Sequence, residues 1–200
     1  LYDNQYHLKN TGQSGGTTGM DINAENAWTI TTGNNDVIVA VIDDGIELNH
    51  EDLPTRISTD GYTCGVSNSV GAPLNASTSD CKGHGTACAG IIAASHNNIG
   101  VRGVSPNAKL LSVNIFPNSA PAASATAYQI GLAIRWAYPK ASVLSCSWSG
   151  VTSPYIRSAI YDALELGRDG KGCVIVASAG NSSSTVEFPA KIKGVISVGA

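Results

Sequence analysis

The sequence has few aromatic residues, few charged residues and no long apolar run. Aromatic side chains make up 6% of the 200 residues and charged side chains 14%, and the formal net charge is -3. Without a basic surplus the chain has no patch for a phosphate backbone or an anionic membrane surface, so nucleic acid is excluded as an expected partner. The apolar runs fall far short of the ~20 residues that a membrane span needs. No basic and apolar leader begins at Leu1, so we expect any secretion signal to have been removed or to lie outside these residues.

Cysteine is also scarce, and its spacing excludes a zinc ribbon because no C-x2-C pair occurs. The five cysteines are Cys64, Cys81, Cys88, Cys146 and Cys173. Cys64 and Cys81 bracket a polar segment that a disulfide would stabilise by restricting the unfolded chain, and we predict this pair. We expect the other three, which lie among small apolar residues, to be buried free thiols. Abundant Ser, Thr, Asn and Gly with sparse Lys and Glu favour an extracellular protein.

Strand-like and helical stretches alternate along most of the chain, which predicts βαβ units and an α/β fold. The expected architecture has three layers, with a mostly parallel sheet and helices on both of its faces. A hydrophobic content of 42% in 200 residues fits one domain, and the glycine-rich residues 1–20 are predicted to form a surface arm. Strands are predicted at 37–43, 109–115, 142–146, 173–178 and 195–199, and helices at 21–28, 86–95, 124–137 and 154–166.

Three polar segments directly follow predicted strands, at the edge of a parallel sheet where ligands collect. They are Asp43, the segment 147–150, and Gly180 with Asn181. A carboxylate at the end of a buried strand is poorly solvated, so it needs a hydrogen-bond donor or a positive partner. His84, between two glycines before a small apolar helix, fits this need, and an Asp–His pair is half of a nucleophilic triad.

Each of these residues also has an ordinary structural interpretation. Asp43 could cap a turn with the Asp and Gly that follow it, His84 could be a satisfied helix-start histidine, and Asn181 could favour a left-handed turn. The segment "GHGTACAG" is similar to a degenerate nucleotide loop, but it does not match G-x-G-x-x-G and no strand runs directly into it. A nucleotide-binding α/β protein is therefore the weaker alternative.

Four segments carry a resemblance to a known family. In chain order they are "VIVAVIDDGIELNHEDL", "GHGTACAGIIAA", "NNIGVRGVSPNAKL" and "VIVASAGNSSS". They resemble the aspartate, histidine, calcium-loop and oxyanion segments of subtilisin-like serine proteases, the subtilases, over residues 28–200. "QYHLKNTG", "DDGIE" and "HGTACAG" are closer to the kexin and furin-like branch and its bacterial relatives. The resemblance implies a serine endopeptidase in which Asp43 orients His84, His84 is the general base and Asn181 donates to the oxyanion.

The same resemblance implies sites for a polypeptide substrate and for structural Ca2+. Segment 145–150 matches the edge along which the family lays an extended peptide, with Ser147, Trp148 and Ser149 as contacts. The wall of the pocket for the residue before the cut matches Ala177, Ser178, Ala179 and Gly180. The calcium ligands match the carboxylate of Asp52, the side-chain oxygen of Asn97 and the carbonyls of Ser95, Ile99 and Val101.

Two details of the family pattern are incomplete in this sequence. The N-terminal calcium ligand would lie at or before Leu1, and Asp3 and Gln5 are the nearby candidates. Members that cleave after basic residues surround the cleft with acids. Here Asp44 is present, but residues 147–155 and 114–129 contain no acid, so the sequence does not favour a preference for Arg or Lys.

The family's nucleophile lies in a Gly-Thr-Ser-Met-Ala type motif that begins its central helix, and no such motif occurs in these 200 residues. We therefore expect a subtilisin-like fold that lacks the C-terminal serine-bearing segment, with the serine on a second chain or in a segment outside these residues. A sheet without that helix would expose apolar surface, which is rare in soluble monomers. The competing interpretation is a catalytically inactive, subtilase-like module that binds peptides.

Overall fold

A parallel sheet forms the centre of the molecule. The computed structural model describes residues 2–53, 55–72, 83–117, 125–150, 152–183 and 185–199. Within them the sheet has six strands in the order β2-β3-β1-β4-β5-β6, and all neighbours are parallel. The strands are β1 (Ile38–Asp43), β2 (Ile57–Thr63), β3 (Lys109–Asn114), β4 (Val143–Cys146), β5 (Val174–Ser178) and β6 (Ile196–Val198).

Helices cover both faces of this sheet. Among the described residues they are α1 (Ala24–Trp28), α2 (His84–Ala93), α3 (Ala127–Ala137) and α4 (Pro154–Gly170), and two short 3-10 turns lie at Tyr2–Asn4 and Gln13–Gly15. Along β1, Val39 and Val41 pack with α2 on one face, whereas Ala40 and Ile42 join the core under α3 and α4 on the other. Burial on both faces explains why β1 is a continuous apolar run.

The predicted α/β class and the five predicted strands are confirmed, with ends that differ by at most one residue. Strand β2 was not predicted, because "ISTDGYT" is a largely polar, half-exposed edge strand. The first helix begins at Ala24, three residues later than predicted, after Asn23 in a left-handed conformation. Regular helix in α4 ends at Gly167, where the backbone becomes extended, close to the predicted end at 166.

One half of the sheet face that carries α2 is open. The register places Val174, Val176, Ile196 and Val198 on the same face as Val39 and Val41. Ile196 and Val198 are each 52% exposed and Val174 is 39% exposed. In the part of the chain that the structure describes, no helix packs over this apolar stripe.

The four cysteines that the structure describes differ in how deeply they are buried. Cys146 and Cys173 are buried as expected, but Cys88 is only half-buried. Cys64 is buried against α3, with its Sγ 3.5 Å from the carbonyl oxygen of Gln129. Its predicted disulfide partner, Cys81, lies outside the described residues. No helix among the described residues is long and apolar enough to cross a membrane.

Candidate active site

The candidate site lies at the carboxyl edge of the sheet, where the strand order changes direction. Strands β2 and β3 lie on one side of β1 and strands β4 to β6 follow in order on the other, so the switch point lies between β1 and β4. Asp43 ends β1, and the register continues to place it beside Ser147, which follows β4. Ligands of open parallel sheets bind in the crevice at such a point.

Asp43 and His84 are in direct contact. Oδ1 of Asp43 lies 2.8 Å from Nδ1 of His84 and also accepts a 2.8 Å hydrogen bond from the backbone N–H of Asp44. The Asp43 side chain is 3% exposed and that of His84 is 58% exposed. The buried carboxylate of Asp43 thus contacts Nδ1 of His84, while much of the His84 ring is exposed to solvent.

The start of α2 is held on the end of β1 by a second carboxylate. Asp44 accepts hydrogen bonds from the backbone N–H of Gly85 at 2.6 Å and of His84 at 3.3 Å. These N–H groups lack helical partners and carry the positive end of the helix dipole. A Cβ on Gly85 would lie 2.8 Å from Oδ1 of Asp44 and would clash with the carbonyl of Gly45. The glycine after His84 therefore permits the close approach that puts the ring on the strand end.

The surroundings of Asp43 and His84 shift the pKa values of both side chains. Burial raises the pKa of Asp43, and the hydrogen bonds from His84 and Asp44 offset part of this effect. Partial burial opposes charge on His84, but the hydrogen bond to Asp43 and the charges of Asp43 and Asp44 outweigh it and raise the pKa of His84 above 6.5. Because the carboxylate accepts from Nδ1, the proton of the neutral ring lies on Nδ1 and Nε2 is left as the base.

Cys88 lies one helical turn after His84 on α2, close to the His84 ring. Its Sγ is 3.9 Å from Nδ1 of His84. Burial raises the pKa of the thiol, and a hydrogen bond with Ser147 opposes this effect. The sequence interpretation treated Cys88 as a buried hydrophobe. The spacing of four residues on a predicted helix is a signal that could have placed it beside the histidine.

Asn181 follows β5 on the same edge of the sheet, two strands away from Asp43. It lies in an open depression of about 380 Å3 that is also lined by Ala179, Gly180 and Ser182. Among the described residues, no hydrogen bond joins Asn181 to Asp43 or His84. The structure therefore brings Asp43 and His84 together and leaves Asn181 exposed in a depression that neither of them lines.

The predicted substrate segments lie at the ends of β4 and β5, on the same edge of the sheet. Ser145 and Cys146 belong to β4, which is a central strand, so only the residues from Ser147 onward leave the sheet. Gly150 then pairs with Phe188 through a 3.0 Å backbone hydrogen bond. Trp148 packs against the core under α3 and α4, and its Nε1 is buried without a partner among the described residues. Ala177 is buried in β5, whereas Ser178, Ala179 and Gly180 are half-buried.

Glu187 joins the two substrate segments and was not found from the sequence. Hydrogen bonds from Ser149 and Ser182 lower the pKa of its carboxyl group. Its backbone N–H donates to the carbonyl of Ala179 at 2.8 Å. A Cβ on Gly180 would lie 2.6 Å from Oε2 of Glu187, so the absent side chain makes room for the carboxylate. Glu187 lies in a loop without periodicity, and the fold alone brings it to the site.

The predicted calcium ligands form a compact loop around a buried carboxylate. Asp52 is 2% exposed. Its Oδ1 accepts from the side-chain amide of Asn97 at 3.0 Å and its Oδ2 from the backbone of Val101 at 2.8 Å. The Asn97 side-chain oxygen accepts from the N–H of Ile99 at 2.9 Å, and the backbone N–H of Ser95 donates to the Asp52 carbonyl at 2.9 Å.

This loop fits a hard cation in its donor chemistry. The carboxylate, the amide oxygen and the nearby carbonyls are the oxygen donors that Ca2+ accepts. A Cβ on Gly100 would collide with Oδ2 of Asp52, so the backbone forms a cradle over the carboxylate. Asp3 lines the adjoining depression of about 200 Å3 with Asn97 and Val101. Gln5 instead exchanges two hydrogen bonds with the backbone of Arg102, at 3.0 and 2.7 Å.

A buried aspartate that holds an exposed imidazole, at the switch point of a parallel sheet, is an arrangement that activates a hydroxyl for acyl transfer. The Subtilase family model matches residues 34–200, and the chain belongs to this family of serine proteases. The strands that lead to Asp43, Ser147 and Asn181, namely β1, β4 and β5, all lie within the match.

Curated relatives support the same assignment over nearly the whole chain. A calcium-dependent protease of Trichormus variabilis is 31% identical over 92% of this chain and 28% of its own length. The cell wall-associated protease of Bacillus subtilis is 36% identical over 100% of this chain and 21% of its own. Neuroendocrine convertase 2 of Rattus norvegicus is 32% identical over 92% of this chain and 30% of its own length. The chain thus spans less than a third of the length of each of these relatives.

Proposed function

We propose that the protein is a calcium-stabilised serine endopeptidase, and that residues 1–200 are the N-terminal and central part of its peptidase domain, with residues 1–20 as a surface arm. The observation that carries the proposal is the 2.8 Å contact between Asp43 and the ring of His84. A serine hydroxyl attacks the peptide carbonyl while Nε2 of His84 takes its proton and then gives it to the leaving amine. Asp43 fixes the ring, and the amide of Asn181 donates to the oxyanion.

The nucleophilic serine is proposed to lie outside residues 1–200, in another segment of the protein or on a second chain. Ser147, Ser149 and Ser182 lie in segments that match the family's substrate and oxyanion segments, so none of them is proposed as the nucleophile. The open stripe on the β5 and β6 face supports the proposal, because a further helix there would bury Ile196 and Val198. Burial of such side chains stabilises a fold by about 1.5–3 kcal/mol each.

The polypeptide substrate is proposed to lie along Ser147, Trp148 and Ser149, with the residue before the cut against the wall 177–180. Calcium is proposed at Asp52 and Asn97 with the carbonyls of Ser95, Ile99 and Val101. The ion would neutralise the buried carboxylate and fix the loop by oxygen coordination. The names of the calcium-dependent and cell wall-associated relatives, with the composition, support calcium dependence and an extracellular location.

The second candidate is a catalytically inactive module that binds peptides in the same groove. It is favoured by one observation, the absence of the family's serine motif from these 200 residues. Both candidates keep the substrate segments, and only the first requires a reactive serine.

A fluorophosphonate probe on the full-length natural protein separates the two candidates. We expect covalent labelling of one serine outside residues 1–200, mapped by peptide mass spectrometry, and loss of labelling in His84→Ala. His50→Asn is the matched control, because its side-chain oxygen keeps an acceptor for the backbone N–H of Asp52, which donates to His50 at 3.2 Å. A folded protein in which no serine reacts would establish the binding module instead.

A further inference from the structure

The helix that carries His84 begins without a side-chain cap of its own. The residue before α2 is Gly83, in a left-handed conformation with φ 82°, and it has no side chain that could accept from the first helical N–H groups. These N–H groups have no partner within a helix, so they need an acceptor from elsewhere. His84 is the first residue of α2, and its position therefore depends on whatever part of the chain supplies that acceptor.

Asp44 supplies the acceptors from the end of β1. Its Oδ1 accepts a 2.6 Å hydrogen bond from the N–H of Gly85, and its Oδ2 accepts a 3.3 Å hydrogen bond from the N–H of His84. A carboxylate is the strongest side-chain acceptor for such groups, and its negative charge is favourable at the positive end of the helix dipole. Asp44 thus caps α2 in place of the side chain that Gly83 lacks.

The burial of Asp44 limits what else its carboxylate can do. Asp44 is 5% exposed, and no Lys or Arg among the described residues forms an ion pair with it. A buried carboxylate is stable only where donors compensate for the lost water, and the two N–H groups of α2 are those donors. The sequence pattern offered Asp44 as an acid of the substrate cleft. In the structure, a substrate cation that took a carboxylate oxygen would have to displace the start of the helix.

A second contact holds the next residue of the helix. The backbone N–H of Glu47 donates to Oγ1 of Thr86 at 2.9 Å, and Thr86 is buried. This contact and the packing of Ala89 against the apolar core on the same face of β1 do not involve Asp44. We therefore expect a loss of Asp44 to displace the first two residues of α2 without unfolding the helix.

We infer that Asp44 is a positioning residue for His84: it caps α2 from outside the helix, keeps the ring seated on Asp43, and does not select the substrate. A misplacement of about 1 Å in a reacting group can cost about 100-fold in rate, so a displaced helix start should slow the chemical step. The effect on the rate rests on the proposed function, whereas the cap itself does not.

The charge of Asp44 also acts on the His84 ring. Among the described residues, the titratable groups that face the ring are the carboxylates of Asp43 and Asp44 at the end of β1 and the thiol of Cys88 on α2. Partial burial opposes charge on the ring, but Asp43 and then Asp44 outweigh it and raise the pKa of His84. Removing the charge of Asp44 should lower this pKa, so the rise of kcat/KM with pH should move to lower pH.

Two substitutions in the full-length protein, Asp44→Ala and Asp44→Asn, test the inference. Asp44→Ala removes both acceptors, so the amide hydrogens of His84 and Gly85 should exchange faster by NMR. Its kcat should fall by about 10- to 100-fold, with KM unchanged for basic and neutral peptides alike. Asp44→Asn keeps one oxygen, so the Gly85 amide should stay protected and part of the lost kcat should return. The pKa of His84 should fall in both variants.

Glu47→Gln is the matched control, because it removes an exposed carboxylate from the same segment and keeps the backbone N–H that Thr86 accepts. Its amide exchange, His84 titration and kcat should equal those of the wild type. The inference is wrong if Asp44→Ala leaves both amides protected, if faster exchange leaves kcat unchanged, or if KM rises for basic peptides alone.

Should Asp44→Ala not fold, Asp44→Asn decides the inference, because its side chain is nearly the same size. Loss of protection at the His84 amide and a lower pKa of His84 would support the cap, and an unchanged amide with an unchanged pKa would overturn it. Exchange and titration are read without catalysis, so a protein that cleaves no peptide still gives a decisive result on the cap.

Discussion

Asp43 and His84 stand 41 residues apart in the chain and are joined by a 2.8 Å contact between Oδ1 and Nδ1. The contact exists because β1 ends in a carboxylate at the switch point of the sheet and because the start of α2 docks on that strand end. Asp44 and Gly85 make the docking possible, one by accepting the first helical N–H groups and the other by having no side chain. The geometry of the Asp43–His84 pair therefore depends on two residues outside the pair.

The first prediction concerns the pH dependence of His84. Its pKa is raised because Asp43 and Asp44 favour the charged ring, although partial burial opposes them. The free base is needed for catalysis, so kcat/KM should rise with pH through a pKa above 6.5. Asp43→Asn removes the main favourable partner and leaves the burial, so the pKa of His84 should fall. An NMR titration of the His84 ring measures this shift.

Asp43→Asn should also lower turnover by about 10⁴-fold, because the ring loses its correct tautomer. Asp36→Asn, an exposed carboxylate before β1, is the control and should leave both the titration and the rate unchanged. An Asp43→Asn protein in which the His84 titration is unmoved would show that Asp43 does not set the charge of the ring.

The second prediction separates transition-state stabilisation from substrate binding at Asn181. Asn181→Ala should lower kcat by about 10²–10³-fold with little change in KM, a magnitude measured on a subtilisin, a member of the same family. Thr185→Ala, exposed in the same depression, should change neither constant. A higher KM with an unchanged kcat for Asn181→Ala would instead make Asn181 a substrate contact.

Much of this arrangement could be predicted from the sequence because it depends on local pattern. The apolar run before Asp43, the glycines around His84 and the short strand before Asn181 each predict an element whose end lies at the same sheet edge. The family resemblance then assigns their roles. Strand β2 could not be predicted, since its polar sequence reflects an edge position that only the assembled sheet defines.

Glu187 and Cys88 show two different limits of the sequence interpretation. Glu187 reaches the site through a non-periodic loop that pairs with Gly150 and Ala179, a long-range relationship that no local pattern contains. Cys88 has a local signal, its position one turn after His84. The small apolar residues around Cys88 predict a buried thiol, and the sequence analysis followed that pattern instead of the helical spacing from His84.

The third prediction concerns calcium and stability. Removal of Ca2+ with a chelator should lower the melting temperature of the wild type, because an ion that binds the folded state stabilises it by about 2.7 kcal/mol at a hundredfold excess over Kd. Asp52→Ala should melt at a lower temperature and respond little to calcium. Glu51→Ala, its exposed neighbour, is the control and should respond like the wild type. Equal calcium responses of Asp52→Ala and wild type, by differential scanning calorimetry, would place the ion elsewhere.

The last prediction concerns the residue before the cut. The Glu187 carboxylate lies against Gly180, between the two segments proposed to hold that residue, and hydrogen bonds from Ser149 and Ser182 lower its pKa. No Lys or Arg among the described residues forms an ion pair with it, so its charge is available to a substrate. We therefore expect a preference for Lys or Arg before the cut. The sequence analysis did not favour this preference, because it considered residues 114–129 and 147–155 and not Glu187. Because Glu187 is only half-buried, Glu187→Gln should lower kcat/KM for basic peptides by about fivefold, the upper range for exposed ion pairs.

Neutral peptides with the same flanking residues should be cleaved by Glu187→Gln as well as by the wild type. Added salt should reduce the preference of the wild type, since it screens an exposed pair. Glu165→Gln removes a carboxylate from the outer side of α4 and serves as the charge-matched control. If Glu187→Gln slows basic and neutral peptides equally, Glu187 supports the groove through its serine contacts and does not select the substrate. A selective loss for basic peptides means that the Glu187 carboxylate selects the residue before the cut.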